Sequence, residues 1–149
     1  MNYEVSIKVK SNEKNAFNAV ASELNKWWGK IDNQVSKEGD EFSISFGKTN
    51  WRFLITEFSQ HDKITWKCIN AEHFVEGLTN LKEEWLNTEL FWNFKKNNDY
   101  VEISLEHRGL TPALNCYDIC ESGWDFFIST SLKNYLESGH GNPRFEQSS

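Results

Sequence analysis

The sequence predicts an α+β fold in which antiparallel strands are covered by one long C-terminal helix. Apolar and polar residues alternate with a period of two through most of residues 38–107, which is typical of strands with one face towards solvent. Residues 115–139 instead repeat their apolar side chains at helical spacing. Strands that are segregated from helices indicate an α+β domain, because the apolar face of such a sheet has to be buried against a helix.

Length and composition indicate one cytoplasmic domain over residues 1–149. A chain of 149 residues can bury about two thirds of its unfolded surface. The three cysteines are odd in number and form no C-x-x-C pair, so a reduced compartment is expected. Neither an apolar signal region nor a membrane-spanning run is present. The net charge of −6 argues against a nucleic-acid partner, because nucleic-acid binding usually requires a basic surface.

Aromatic residues make up 15% of the chain and include seven tryptophans, beside an apolar content of only 38%. A few large rings therefore account for much of the expected burial. These rings either form a core that is built from aromatics or line a ligand cavity, since ligand pockets are walled mainly by apolar and aromatic side chains. The two interpretations are compatible.

The N-terminal part predicts a strand that is followed by a short helical segment. Residues 3–9 alternate strictly, and Ser11 is the expected helix cap. Apolar residues then follow at helical spacing as far as Trp27 and Trp28, with a break expected near Ser22, and Gly29 ends the segment. At least one of the two tryptophan rings should face the sheet.

Five further strands are predicted by alternation, at 42–46, 51–57, 64–68, 88–94 and 101–107. Turn-forming residues separate most neighbouring strands, as expected for an antiparallel meander. Segment 70–84 does not fit a strand. It is expected to be a wide loop or a short helix across an opening, and loops of this length are often functional lids.

The C-terminal helix is predicted from a stripe that includes Trp124, Ile128 and Leu132. Gly139 and the proline that follows provide the stop signal. At about 1.5 Å per residue, the helix is roughly 35 Å long and can cross a small sheet. Residues 144–149 are expected to fray.

Two titratable residues, Glu57 and His107, have the strand parity of the apolar face. They either lie near water at strand ends or are buried polar groups, which need partners and often have perturbed pKa values.

Cys116 and Cys120 share one helix face, with His107 near in sequence, but no third and fourth ligand with zinc-site spacing is evident. No metal is therefore expected. Phosphate, dinucleotide, zinc-hydrolase and serine-hydrolase motifs are absent from the sequence.

Five stretches resemble a known superfamily. They are Trp27-Trp28 after the first helix, WRFLITE at 51–57, ITWKC at 64–68, LEHRGL at 105–110, and GW at 123–124 followed by SLKNYLESG at 131–139. In order and spacing they resemble the SRPBCC superfamily of START-like and Bet v-like proteins, and within it the homologues of the activator of the heat-shock protein 90 ATPase. The resemblance covers residues 3–143, with segment 70–84 the least similar part.

The resemblance implies a helix-grip fold, in which an antiparallel sheet of six or seven strands wraps around the C-terminal helix and leaves a deep apolar cavity. The superfamily includes lipid carriers, polyketide cyclases, hormone receptors and co-chaperone domains, so the resemblance does not fix an activity.

The leading hypothesis is a cofactor-free binding protein for a small apolar or amphipathic molecule, either lipid-like or aromatic. His107 or Glu57 would orient the ligand. The expected wall residues are Trp28, Trp51, Phe53, Trp66, Phe74, Trp92, Trp124 and Phe127.

Two alternatives stay open. The first is a cyclase-like or hydrolase-like enzyme in the same cavity, with His107 and Glu57 as acid and base, although the sequence favours a binding protein and assigns no catalytic residue. The second is a co-chaperone-like interaction domain that binds a chaperone or forms a weak homodimer. Membrane insertion is not expected.

Overall fold

Seven strands form one antiparallel sheet in the computed structural model, which describes residues 1–145. The spatial order is β1-β7-β6-β5-β4-β3-β2, so the first strand lies beside the last and the others follow in sequence order. The strands are β1 (Tyr3–Val9), β2 (Lys30–Ile31), β3 (Glu41–Phe46), β4 (Thr49–Ser59), β5 (Lys63–Glu72), β6 (Glu89–Asn97) and β7 (Tyr100–Arg108). The predicted α+β class and the antiparallel sheet are confirmed.

The helical segment after β1 is broken where the sequence predicted a break. Helix α1 spans Glu13–Ala21, and a single 3₁₀ turn follows at Leu24–Lys26. The cap is Asn12 and not Ser11, because the Asn12 side chain accepts a hydrogen bond of 2.7 Å from the backbone N–H of Asn15. This bond satisfies one of the donors that a helix start leaves without a partner.

The C-terminal helix spans Tyr117–Ser138, but it is not a uniform α-helix. Helix α2 (Tyr117–Phe126) passes into one π-helical turn (Phe127–Leu132), and α3 (Lys133–Ser138) completes it. Gly139 ends the helix at a φ of 86°, a conformation that glycine adopts without a steric penalty. None of the helices within residues 1–145 has the length and apolarity needed to cross a membrane.

The predicted interruption at 70–84 is shifted along the chain. Strand β5 continues to Glu72, and residues 73–88, the connecting loop, are irregular. Hydrogen bonds join the loop to the sheet, with the Cys68 N–H donating to the Thr88 carbonyl at 2.9 Å and the Asn87 N–H donating to the Cys68 carbonyl at 2.8 Å. The loop also buries Leu81 and Trp85. The loop therefore contributes these two side chains to the packed interior, whereas its residues 76–80 are exposed.

The chain after the C-terminal helix folds back onto the N-terminal segment as far as the structure describes it. The backbone N–H of Arg144 donates to the Trp28 carbonyl at 2.9 Å, and its guanidinium lies 4.9 Å from the ring centre of Phe126. Fraying at Arg144 is therefore a wrong expectation. Residues 146–149 lie outside the described part of the chain.

Candidate functional site

A cavity of about 410 Å³ lies where the sheet, the C-terminal helix and the connecting loop meet. Exposed residues such as Ile119 and Arg144 belong to its wall, so the cavity opens to the surface. The wall consists of Phe46, Thr49 and Trp51 from the sheet, His73, Val75 and Trp85 from the loop, Ile119, Cys120, Gly123, Trp124 and Phe127 from the helix, and Trp28 and Arg144.

Four indole rings stack along this wall. Trp51 of β4 lies 3.9 Å from Trp85 of the loop, with 11° between the ring planes. Trp85 lies 5.9 Å from Trp124 of the helix, and Trp124 lies 4.9 Å from Trp28. Offset stacking of such rings is favourable beyond the area that they bury. Each ring comes from a different part of the chain, so the stack holds the wall in one arrangement.

The predicted wall residues fall into three groups: some line the cavity, others lie in the core behind it, and Phe74 lies on the outer surface. Trp28, Trp51, Trp124 and Phe127 line the cavity. Three others lie fully buried in the core and outside the lining, namely Phe53, Trp66 and Trp92. They support the wall from behind, as in the stacking of Trp66 on Trp28 at 5.8 Å.

Phe74 lies on the outer surface and not in the cavity wall, with 42% of the residue exposed. Its ring lies under the ammonium group of Lys48, 4.8 Å from the ring centre. Its neighbour His73 faces the cavity instead.

His107 is fully buried, and both of its ring nitrogens have partners. The indole N–H of Trp124 donates to Nδ1 at 3.1 Å, and Nε2 lies 2.9 Å from Oγ1 of Thr88. Nδ1 is therefore the acceptor, and Nε2 carries the proton and donates it to the Thr88 hydroxyl. The Thr88 hydroxyl in turn donates to the Trp85 carbonyl at 2.7 Å. Burial lowers the pKa of His107 to about 3, so the ring is neutral at neutral pH. It positions Trp124 and does not line the cavity.

Glu57 faces solvent, which corrects its predicted inward direction. The pairing of β4 with β5 shifts register between Ile55 and Glu57, and such a bulge turns the following side chain to the other face. The Glu57 carboxylate is exposed and forms a salt bridge of 3.2 Å with Lys63. His107 and Glu57 therefore lie on opposite faces of the sheet and do not form an acid–base pair.

Several wall residues were not predicted, above all His73 and Trp85 of the connecting loop. A loop has no periodicity from which the direction of a side chain can be inferred. The available signal was composition, because tryptophan side chains such as that of Trp85 are highly buried on average.

His73, Cys116 and Cys120 form a buried cluster beside the cavity. Their ligand atoms all lie within 4.8 Å of one another. The hydrogen bond between the thiols lowers the pKa of Cys116, against the effect of burial, and His73 lowers it further. The same hydrogen bond, together with burial, raises the pKa of Cys120. Two sulfurs and an imidazole are a donor set suited to a soft metal ion.

Two buried nitrogens of wall residues have no hydrogen-bond partner within residues 1–145. They are Nε1 of Trp51 and Nδ1 of His73. A buried polar atom without a partner costs about 1–3 kcal/mol. A bound molecule or ion that contacts them would remove this cost.

Comparison with solved structures identifies the fold. No protein-family model and no curated protein matches the sequence. The solution structure of the Aha1 dimer from Colwellia psychrerythraea matches with a TM-score of 0.77 and 20% identity, over 95% of this chain and 99% of that one. CalU16 from Micromonospora echinospora matches with a TM-score of 0.67 and 14% identity, over 95% of this chain and 76% of CalU16.

DynU16, from the dynemicin biosynthetic locus, has a TM-score of 0.73 and 13% identity, over 94% of this chain and 48% of DynU16. At these identities the similarity establishes the fold alone. Seven antiparallel strands that curve around a long C-terminal helix give this chain an Aha1-like SRPBCC fold of the helix-grip type.

Proposed function

We propose that the protein binds a small amphipathic molecule, lipid-like or aromatic, in the cavity between the sheet and the C-terminal helix. The observation that carries this proposal is a cavity of about 410 Å³ that is walled by tryptophan and phenylalanine rings. This volume falls within the range of about 300–1,000 Å³ that small-molecule sites occupy.

Burial of apolar surface would provide most of the affinity. A ligand that buries about 200 Å² of apolar surface gains roughly 5 kcal/mol at ~25 cal/mol per Å², before the costs of ordering are subtracted. The stacked rings keep these costs low, because the wall is already ordered before the ligand arrives.

The polar atoms of the wall favour an amphipathic ligand over a pure hydrocarbon. The indole N–H of Trp51, a wall residue, is buried without a partner within residues 1–145, and an acceptor on the ligand that contacts it would satisfy this donor. Arg144 lines the cavity and forms no salt bridge within the same residues. A carbonyl or carboxylate on the ligand would suit both groups.

Position 123 offers a direct test, because an added side chain there would fill the cavity. A Cβ built on Gly123 meets no atom within 4 Å. Ile119 and Phe127, four residues to either side, line the cavity, so the three positions share one helix face. Gly123→Leu should keep the fold and block the site, whereas Gly123→Ala adds one methyl group and is the matched control.

Binding would be measured by tryptophan quenching with anilinonaphthalene sulfonate, a fatty-acid series and a flavonoid series. We expect at least one probe to bind the wild type and Gly123→Ala within about twofold of each other, and Gly123→Leu at least about tenfold more weakly. A panel without a binder, or equal binding by all three proteins, would contradict the proposal.

An acid–base enzyme that uses His107 and Glu57 is disfavoured by the geometry. The His107 ring is closed off by Trp124 and Thr88, and Glu57 pairs with Lys63 outside the cavity. Substitution of either residue should therefore change the stability of the fold and not the rate of a reaction in the cavity.

Self-association is a second candidate, because the Aha1 structure from Colwellia is a dimer. Light scattering on a size-exclusion column at increasing protein concentration would test it, and a constant monomer mass would exclude a dimer under those conditions. A chaperone partner stays a prediction, for which a pull-down with the bacterial chaperone is the measurement.

A further inference from the structure

His73, Cys116 and Cys120 come from two separate parts of the chain, and all three are buried beside the cavity. Their ligand atoms lie within 4.8 Å of one another. We infer that these three side chains form a metal site, and that Zn²⁺ is the ion that fits their donor atoms best.

The fold holds the three donors in place from both sides. Cys116 and Cys120 are one helical turn apart, and the Cys120 N–H donates to the Cys116 carbonyl at 2.8 Å. His73 directly follows β5, and its backbone N–H donates to the Lys82 carbonyl at 2.9 Å. The backbone that carries the two cysteines and the backbone that carries His73 are therefore each held by a hydrogen bond.

Glu84 ties the connecting loop to the start of the C-terminal helix. Its two carboxylate oxygens accept from the backbone N–H groups of Asn115 and Cys116, at 2.8 and 2.9 Å. A carboxylate at this position also satisfies donors that a helix start leaves open. The histidine and the two cysteines are thus anchored to each other before any ion binds.

The donor spacing is close to that of a tetrahedral site. With Zn–S bonds of about 2.3 Å, two sulfurs on one zinc lie about 3.8 Å apart. Donors within 4.8 Å of one another are therefore at most about 1 Å farther apart than two sulfurs on one zinc ion. Each thiol releases its proton as its sulfur bonds to the metal.

Two observations at the cluster favour a bound ion. The buried Nδ1 of His73 has no hydrogen-bond partner within residues 1–145, so an imidazole nitrogen of this ring is available. The indole N–H of Trp85 donates to Sγ of Cys120 at 3.3 Å. An N–H donor to a ligand sulfur orients the ligand and stabilises the negative charge of a thiolate.

The fourth coordination position faces the cavity. His73 and Cys120 both line the cavity, whereas Cys116 lies behind them. Zinc sites with three protein ligands keep one position for water or for an atom of a bound molecule, whereas structural sites are closed by four protein ligands. The inferred site is of the open kind, and it does not depend on which organic molecule the cavity takes.

Cobalt titration tests the inference directly. The protein would be reduced with a phosphine, treated with a chelator, transferred to metal-free buffer and titrated with Co²⁺ and then Zn²⁺. We expect one Co²⁺ per chain with thiolate-to-cobalt charge-transfer absorption, which Zn²⁺ removes by displacement. Zn²⁺ should also raise the melting temperature, because it binds the folded chain.

The variants Cys116→Ser, Cys120→Ser and His73→Ala should each weaken Zn²⁺ binding by more than about 100-fold. Cys68→Ser is the matched control, because Cys68 is a buried free cysteine outside the cluster. It should bind Zn²⁺ within about threefold of the wild type. The absence of a charge-transfer band in the wild type would overturn the inference even where a variant fails to fold. A loss of binding in Cys68→Ser as large as in Cys116→Ser would overturn it as well.

Discussion

His107 is a histidine that the fold keeps neutral by burial and by hydrogen bonds to both ring nitrogens. Its pKa is lowered from 6.5 to about 3 in the folded chain. Above pH 6.5 neither the folded nor the unfolded chain holds a proton on this ring. Between these two pKa values only the unfolded chain does, so the free energy of unfolding falls as the pH falls.

His107→Gln should therefore flatten the acid dependence of stability. We expect the variant to be less stable than the wild type at pH 7, because it disrupts the bonds to Trp124 and Thr88. Between pH 6 and pH 4 its free energy of unfolding should fall by about 1.4 kcal/mol less per pH unit. Urea denaturation at several pH values would measure this. His140→Gln, at an exposed position, is the control and should keep the wild-type slope.

The direction of the Glu57 side chain could not be inferred from its own strand. His107 and Glu57 have the same alternation signal, and only His107 lies on the predicted side of the sheet. The register shift before Glu57 accounts for the difference. A bulge is a property of the pairing between two strands, so the sequence of one strand contains no direct sign of it.

At the scale of elements, the long strands were predicted because each combines a buried face with a polar one. Strand β2 has only two residues, too few to show a period. The π turn at Phe127–Leu132 was missed for a related reason. It adds one residue to a single turn, and the apolar stripe of Trp124, Ile128 and Leu132 still fits an ordinary helix.

The candidate site could be predicted only where periodic elements form it. Trp51 and Trp124 follow from the spacing of a strand and a helix, and both line the cavity. His73 and Trp85 lie in the connecting loop, whose direction depends on tertiary contacts. The cluster of His73 with the two cysteines was not predicted for this reason, because the sequence shows two cysteines on one helix face but gives no sign that His73 joins them.

The return of the chain after the C-terminal helix requires a glycine at position 141. A Cβ at Gly141 would overlap with the carbonyl oxygen of Lys26 and would lie 3.1 Å from Cα of Trp27. Backbone atoms cannot move aside as a side chain can. Gly141→Ala should therefore destabilise the fold by about 1–3 kcal/mol, as measured by urea denaturation.

The matched control is Gly123→Ala, where the new methyl group meets no atom within 4 Å. It should stabilise the C-terminal helix by about 0.5–1 kcal/mol, because alanine loses less conformational freedom in a helix than glycine does. If Gly141→Ala were as stable as the wild type, the close contact between the returning chain and Lys26 would be wrong.

At the scale of the whole molecule, Trp85 joins the three parts that surround the cavity. Its ring stacks on Trp51 of the sheet and Trp124 of the helix, and its centre lies 4.5 Å from that of the His107 ring in an edge-to-face arrangement. Its N–H bonds to Cys120 of the helix, and its carbonyl accepts from Thr88. The cavity wall, the neutral histidine and the cysteine cluster thus share one residue.

Trp85→Ala should consequently weaken the molecule as a whole. We expect a loss of about 3–5 kcal/mol in the free energy of unfolding, as for other large-to-small changes in a core. Amide exchange should become faster at Asn87, whose N–H donates to the Cys68 carbonyl of β5, and at His73, whose N–H donates to the Lys82 carbonyl within the loop, and also in the C-terminal helix. Leu78→Ala is the control in the same loop, because Leu78 is exposed, and it should change stability by at most about 0.5 kcal/mol. If the faster exchange in Trp85→Ala stayed within the connecting loop, that loop would be a separate lid and not a wall that the sheet and helix share.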